Sequence, residues 1–320
     1  MNEKISVIVP LYNKEKHIYQ CLNSIKKQKF KNFEVFIIDD GSTDNSKEIC
    51  INFCKEDDRF KYFFKNNGGV SSARNYGLKL IKNDYVIFID ADDYIEESYL
   101  ESLTENKNDL IVQGFKKDEH GIINEYHIQN CVYNKQDVLN DLLINKEITN
   151  VFSVPYLKLF DMRYIKKYSI KFNEDLNFGE DFDFVLRYIS AINGTVRFVD
   201  KCYYVNRIEN GSLSRKDISN IWIQLSIVYL TIKKIYISNR KALNFFLMRF
   251  VKISLLNSYC SKYDNFKKIF YEIRNDNEFL NLKLIELKRF SIDWLICLLI
   301  KKKLVLISYI IFNLKRRKKI

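Results

Sequence analysis

The 320-residue chain is 47% apolar and 29% charged, the make-up of a globular protein, which excludes disorder over most of its length. Two prolines and nine glycines leave no material for a Pro/Gly-rich linker, and seven scattered cysteines match neither a disulfide framework nor paired zinc ligands. The formal charge of +12 is unevenly placed: residues 251–320 hold 16 Lys and Arg against 6 Asp and Glu, so the rest is nearly neutral.

The opening MNEKISVIVPLYNKEK follows a short apolar run with charges, so no secretory signal is expected. ISVIVPLY (5–12) reads as a buried strand, and the apolar spacing at 18, 22 and 25 predicts a helix over 14–28. A strand follows at 33–39, then a helix at 42–54 with Ser42 or Thr43 as N-cap. FKYFF (60–64) reads as a strand, 70–81 as a helix and 84–90 as a strand. Strand and helix alternating in this way predict an α/β fold, a parallel sheet with helices on both faces. Beyond it, 109–115 and 122–128 read as a hairpin. Helices are expected around 96–104 and at 135–146 and 180–190, with short strands at 195–199 and 202–206. From about 217 the chain reads as helical, which puts a boundary near 215, between a catalytic region (1–215) and a helical region (216–320).

The polar residues collect at strand ends, where open α/β sheets bind ligands. The first strand runs into Pro10-Leu11-Tyr12-Asn13, the second into Asp39-Asp40-Gly41-Ser42, and the fourth into Asp90-Ala91-Asp92-Asp93. Gly68-Gly69 and Arg74 open the third helix. Singly, each has an ordinary reading as a cap, a turn or a surface charge. Together they fall at one edge of one sheet. Three carboxylates in four positions call for a counter-charge, and hard oxygens of this kind suit Mg²⁺ or Mn²⁺ beside a diphosphate. Neither GxxxxGK[ST] nor GxGxxG occurs.

VIVPLYN, IIDDGSTDNS, NNGGVSSARNYGL and FIDADD, in this order, resemble the family 2 glycosyltransferases of GT-A fold, densely over 4–95 and more thinly to about 215. The resemblance implies an inverting, metal-dependent transferase using a nucleotide-sugar, most often a UDP-sugar. Pro10, Tyr12, Asp40 and Arg74 would then hold the nucleotide, Asp90-Ala91-Asp92 would be the DxD element with Asp90 toward the ribose, and Asp92 would be the metal ligand. Asp93 would be structural. FGEDFDF (178–184) looks like the element carrying the base, Asp181, with Glu180 beside it; the same acids also favour a helix N-terminus. Arg207, Ser212, Ser214 and Arg215 would close over the diphosphate. No histidine lies there, and the QxxRW element of processive synthases is absent, which points to one sugar per encounter.

The tail KKKLVLISYIIFNLKRRKKI has eight basic residues and no acidic one. Its apolar stretches 294–300 and 304–314 are shorter than the roughly 20 residues of a span. It reads either as a basic amphipathic helix on an anionic membrane, over 290–320, or as a core helix with a solvated basic end. The leading expectation is therefore a peripheral enzyme at the cytoplasmic face, glycosylating a lipid-linked or growing surface glycan such as capsule or lipopolysaccharide. The rivals are an inactive nucleotide-sugar binder and a basic nucleic-acid module, and no nucleic-acid-binding motif supports the second.

Overall fold

The computed structural model describes residues 4–104, 108–142, 149, 151–208, 220–259, 263–289 and 291–317. The chain divides into two compact units, Met1–Ser212 and Leu213–Ile320.

The first unit is built around strands that are mostly apolar and buried end to end. β1 (Ile5–Leu11) and β2 (Phe33–Asp39) are buried at every residue, as a strand covered on both faces requires. Between them α1 (Ile18–Lys26) buries Ile18, Cys21, Leu22 and Ile25, one helical face. α2 (Ser46–Glu56), β3 (Phe60–Phe64), α3 (Val70–Leu80) and β4 (Tyr85–Phe88) follow. α3 lies close on β1: a Cβ on Gly77 would come within 2.9 Å of Ile8.

The remaining strands are β5 (Tyr94–Ile95), β6 (Leu110–Glu119), β7 (Ile122–Tyr126), β8 (Cys131–Asn134), β9 (Lys158–Asp161) and β10 (Thr195–Ile208). Their order is β3-β2-β1-β4-β9-β6-β10-β5, with β7 on β6 and β8 on β10. Pairing is parallel through β3-β2-β1-β4 and mixed beyond, since β9 runs antiparallel to both β4 and β6. The short helices α4 (Tyr99–Ser102), α5 (Lys135–Asp137) and α6 (Met162–Lys167) precede α7 (Glu180–Ala191), which packs Phe184 on Phe160 and Phe88 of the sheet.

Several expectations change. α2 begins at Ser46, not near Ser42 or Thr43. Asp39 accepts the Ser42 N–H at 2.8 Å and Gly41 takes φ +82°, so 39–42 closes as a turn before the helix can start. The expected helix over 96–104 is only α4, and that over 135–146 is α5 passing into a π-turn at Val138–Leu142; residues 143–146 lie outside the described residues. Two short strands at 195–206 are one strand, β10, whose register on β6 slips between Val199 and Tyr204.

The second unit is helical. α8 (Ile221–Ile235), α9 (Arg240–Tyr259) and α10 (Tyr263–Asn275) are its longer members, and α10 buries Phe266, Ile269, Phe270 and Ile273 at helical spacing. α11 (Asn277–Asn281), α12 (Ile292–Lys301) and α13 (Val305–Arg317) complete it. Among the described residues no helix is long and apolar enough to cross a membrane.

Candidate active site

The loops after β1 and β2 are stitched together at the carboxyl edge of the sheet. Asn13, left-handed at φ +50°, donates its N–H to Ser42 Oγ at 3.0 Å and accepts the Thr43 N–H at 2.8 Å. The Lys14 N–H reaches Ser46 Oγ at 2.9 Å. Tyr12 stands at this junction with 48% of its surface exposed, while Pro10 is buried in β1 opposite Ile38.

Asp39 and Asp40 divide their work. Asp39 closes its own turn and accepts the Tyr62 hydroxyl at 2.6 Å. Asp40, buried, accepts the Gly68 N–H at 3.0 Å and the Gly69 N–H at 2.7 Å, and pairs with Lys65. Its carboxylate therefore sits at the N-terminus of α3, where unpaired amides and the helix dipole favour an anion. Gly69, at φ +86°, supplies the backbone that aims those amides.

Arg74 organises the centre. Its guanidinium, 3% exposed, bonds Asp181 Oδ1 at 2.6 Å and Asp90 Oδ1 at 3.0 Å, and lies over the Phe172 ring at 5.1 Å. The next residue, Asn75, holds the chain that leads into α7: it accepts the Phe172 N–H at 2.8 Å and donates to Phe172 O at 2.9 Å and Glu174 Oε1 at 2.8 Å. α7 then starts on Gly179, at φ +86°, with Glu180 and Asp181 in its first turn. Burial raises the Asp181 carboxyl to about 8, aided by Glu180 and Asp90 against the opposing pull of Arg74. Burial likewise raises Glu180 and Asp90. Asp183 is taken up by Arg187 at 2.6 Å.

The three acids after β4 are not equivalent. Asp93, 2% exposed, accepts the Tyr204 hydroxyl at 2.6 Å and the Arg207 N–H at 2.8 Å, and takes Asn206 Nδ2 as well. Burial, with Asp90 and Asp92 nearby, holds its carboxyl well above the usual range. Asp90 belongs to Arg74. Asp92, 29% exposed against 27% for Asp90, is paired with Lys14 rather than with Arg74. A partly exposed hard carboxylate not held by Arg74, with the rest of the shell left to phosphate and water, is a donor set that fits Mg²⁺ or Mn²⁺.

The sequence profile described as glycosyl transferase family 2 matches residues 6–168, half of the chain. The chain belongs to glycosyltransferase family 2. GlyA, a glycosyltransferase of Streptococcus pneumoniae, is 34% identical over 228 residues, 67% of this chain and 32% of that protein. The poly(ribitol-phosphate) β-N-acetylglucosaminyltransferase TarP of Staphylococcus aureus is 32% identical over 63% of this chain and 62% of its own length. The chain thus spans about a third of GlyA and less than two thirds of TarP. The crystal structure of S. aureus TarS 1–349 in complex with UDP-GlcNAc aligns with a TM-score of 0.70 at 24% identity, covering 88% of this chain and 82% of that one, and shares the GT-A fold.

In this family 2 glycosyltransferase, Tyr12, Asp40, Arg74, Asp90, Ala91, Asp92, Glu180 and Asp181 all lie at strand ends or helix starts, and Arg74 joins Asp90 directly to Asp181. Arg207 meets the cluster through its backbone; its side chain turns to Gln20 at 2.6 Å and to His17. Ser212, Ser214 and Arg215 lie outside the described residues. Sequence reasoning passed over Lys14 and Lys65, which face Asp92 and Asp40, and Asn75, which fixes the approach to α7. A lysine directly after PLYN, opposite an acidic cluster, was the available signal for the first. It also passed over Tyr156, stacked on Tyr204 at 4.7 Å.

Proposed function

We propose that this glycosyltransferase moves one sugar per encounter from a nucleotide-sugar, most simply a UDP-sugar, to a hydroxyl of a surface glycan, with inversion. The observation that carries the reading is the Arg74 bridge. One guanidinium holds Asp90, at the donor end of the sheet, and Asp181, at the start of α7.

In the proposed reaction Tyr12, Pro10 and Asp40 border the base, with Asp40 presenting the Gly68–Gly69 turn, and Asp90 and Ala91 face the ribose. Asp181 takes the acceptor hydroxyl proton on Oδ2, because Oδ1 is given to Arg74. The acceptor oxygen then attacks the anomeric carbon as the bond to the diphosphate breaks on the opposite face, and its electron pair leaves with the nucleoside diphosphate. Asp92 would hold Mg²⁺ or Mn²⁺, which when bound neutralises diphosphate charge. Lys14, Arg207 and Arg215 are the chain's own cations for that charge, with Ser212 as a donor. The UDP-GlcNAc complex of TarS and the poly(ribitol-phosphate) acceptor named for TarP support a UDP-sugar donor and a cell-surface acceptor.

The C-terminal helices support work at an anionic membrane. On α13, Leu306, Ile307 and Ile310 are exposed on one side while Ser308 and Phe312 are buried on the other. Lys301, Lys302 and Lys303 precede it and Lys315, Arg316 and Arg317 end it. An apolar face flanked by basic residues suits a helix lying in the interface on the cytoplasmic side. The test is a panel of UDP-sugars with and without Mn²⁺, with product linkage analysis. Metal-stimulated transfer from one donor is expected, and equal turnover in EDTA removes the metal role of Asp92.

A further inference from the structure

A second polar cluster lies away from the candidate active site, where β10 loses register. Between Val199 and Tyr204 the strand advances five residues while its partner β6 advances two, from Gln113 to Phe115, so residues 200–203 bulge opposite Gly114. A Cβ at Gly114 would stand 2.6 Å from the Tyr126 carbonyl and 2.8 Å from Cys202 Sγ. Glycine there lets the bulge close against β7. Glu125 and His127, at the end of β7, are brought against Asp200 and Cys202 of the bulge.

The four side chains meet in a definite order. The ligating atoms of Glu125, His127 and Cys202 lie within 4.8 Å of one another. His127 Nε2 is 3.0 Å from Glu125 Oε2, and its Nδ1 is 2.7 Å from Asp200 Oδ1. The other oxygen of Glu125 pairs with Lys116 at 3.0 Å. Cys202 is buried, its Sγ 3.5 Å from the Tyr126 carbonyl.

We propose that Glu125, His127 and Cys202 bind a Zn²⁺-type cation, with Asp200 orienting the imidazole. A thiolate, an imidazole and a carboxylate form a borderline-soft donor set that suits zinc, in contrast to the hard oxygens around Asp92. A carboxylate on the far nitrogen of a ligating histidine fixes its tautomer and leaves Nε2 for the metal. Bonds of roughly 2.0–2.3 Å in a tetrahedron place donors roughly 3.3–3.8 Å apart. Rotation of the exposed Glu125 and His127 side chains closes that gap, and water takes the fourth position. Binding releases the Cys202 thiol proton, and any proton on Nε2, to solvent. The ion ties the β6–β7 hairpin to the bulge two residues before Tyr204, which holds Asp93.

Full-length protein stripped of metal is titrated with Zn²⁺ by calorimetry, and with Co²⁺ as an absorbing probe. One equivalent of zinc and a near-ultraviolet thiolate-to-cobalt band are expected in the wild type and in Asp92→Asn. Cys202→Ser should abolish the band. His127→Ala, at an exposed position where truncation is tolerated, should abolish stoichiometric zinc binding, and Asp200→Ala should weaken it by about 10- to 100-fold. No stoichiometric zinc in the wild type, or unchanged zinc affinity in His127→Ala and Cys202→Ser, overturns the site.

Discussion

Arg74 answers the question posed by three acids after a buried strand. The positive charge they need comes from the protein on one side, through Arg74 on Asp90, while Asp93 is absorbed by hydrogen bonds and Asp92 faces Lys14. Asp181→Asn keeps the shape and an acceptor for Arg74 but has no basicity, so transfer should fall by about 100- to 10,000-fold in a variant that still folds. Because the Asp181 carboxyl is held up to about 8, mainly by burial, kcat/KM at subsaturating donor should rise with pH through that value and then level. The sign for stability is opposite. The folded state keeps a proton that the unfolded chain gives up near the ordinary carboxylate pKa, so this contribution is complete at low pH and is lost as pH rises toward 8. Denaturant midpoints of wild type and Asp181→Asn across that range check it: the variant should lose less on going alkaline. Arg74→Lys retains charge but not the fork, so it should depress turnover through misplacement of Asp181.

At the scale of elements, α3 is the part that couples fold to site. It rests on β1 through Gly77, and Gly77→Ala should cost about 1–3 kcal/mol in urea denaturation, since Ile8 leaves no room for a methyl. How much of this was legible depends on whether the signal was local. β1 and β2 were readable because ISVIVPL and FEVFIID are dominated by β-branched and aromatic residues, which suit a strand covered on both faces. The start of α2 was misplaced because Ser42 looks like a cap, yet Asp39 claims its N–H from within the same turn. β10 was split because Asp200 and Lys201 interrupt its apolar pattern, and only the pairing with β6 shows that they form a bulge. β9 gave no sequence sign, since its Lys158 is fully buried and its ammonium bonds the carbonyls of Val151 and Val154, at 2.7 Å each. The candidate site was legible as a set of strand ends. The Arg74 bridge was not, because Arg74 and Asp181 are 107 residues apart.

Over the whole molecule, charge and chemistry are kept in different parts of the chain. The first unit carries the sheet edge and its carboxylates, and the second carries all of the net positive charge. Vesicles containing phosphatidylserine should therefore capture the protein at low salt and release it as ionic strength rises, while neutral vesicles should not. Replacing Lys301, Lys302 and Lys303 with glutamine should weaken capture by up to about 3 kcal/mol, near 1 kcal/mol per charge. Flotation of both proteins side by side measures the difference. The most direct measurement of the proposed chemistry is transfer from a UDP-sugar panel by the wild type and Asp181→Asn in parallel, with anomeric configuration read by NMR. An inverted linkage made by the wild type, and lost in a folded Asp181→Asn, is the expected result. A retained configuration, or near-normal transfer by Asp181→Asn, would contradict Asp181 as the base of a single displacement.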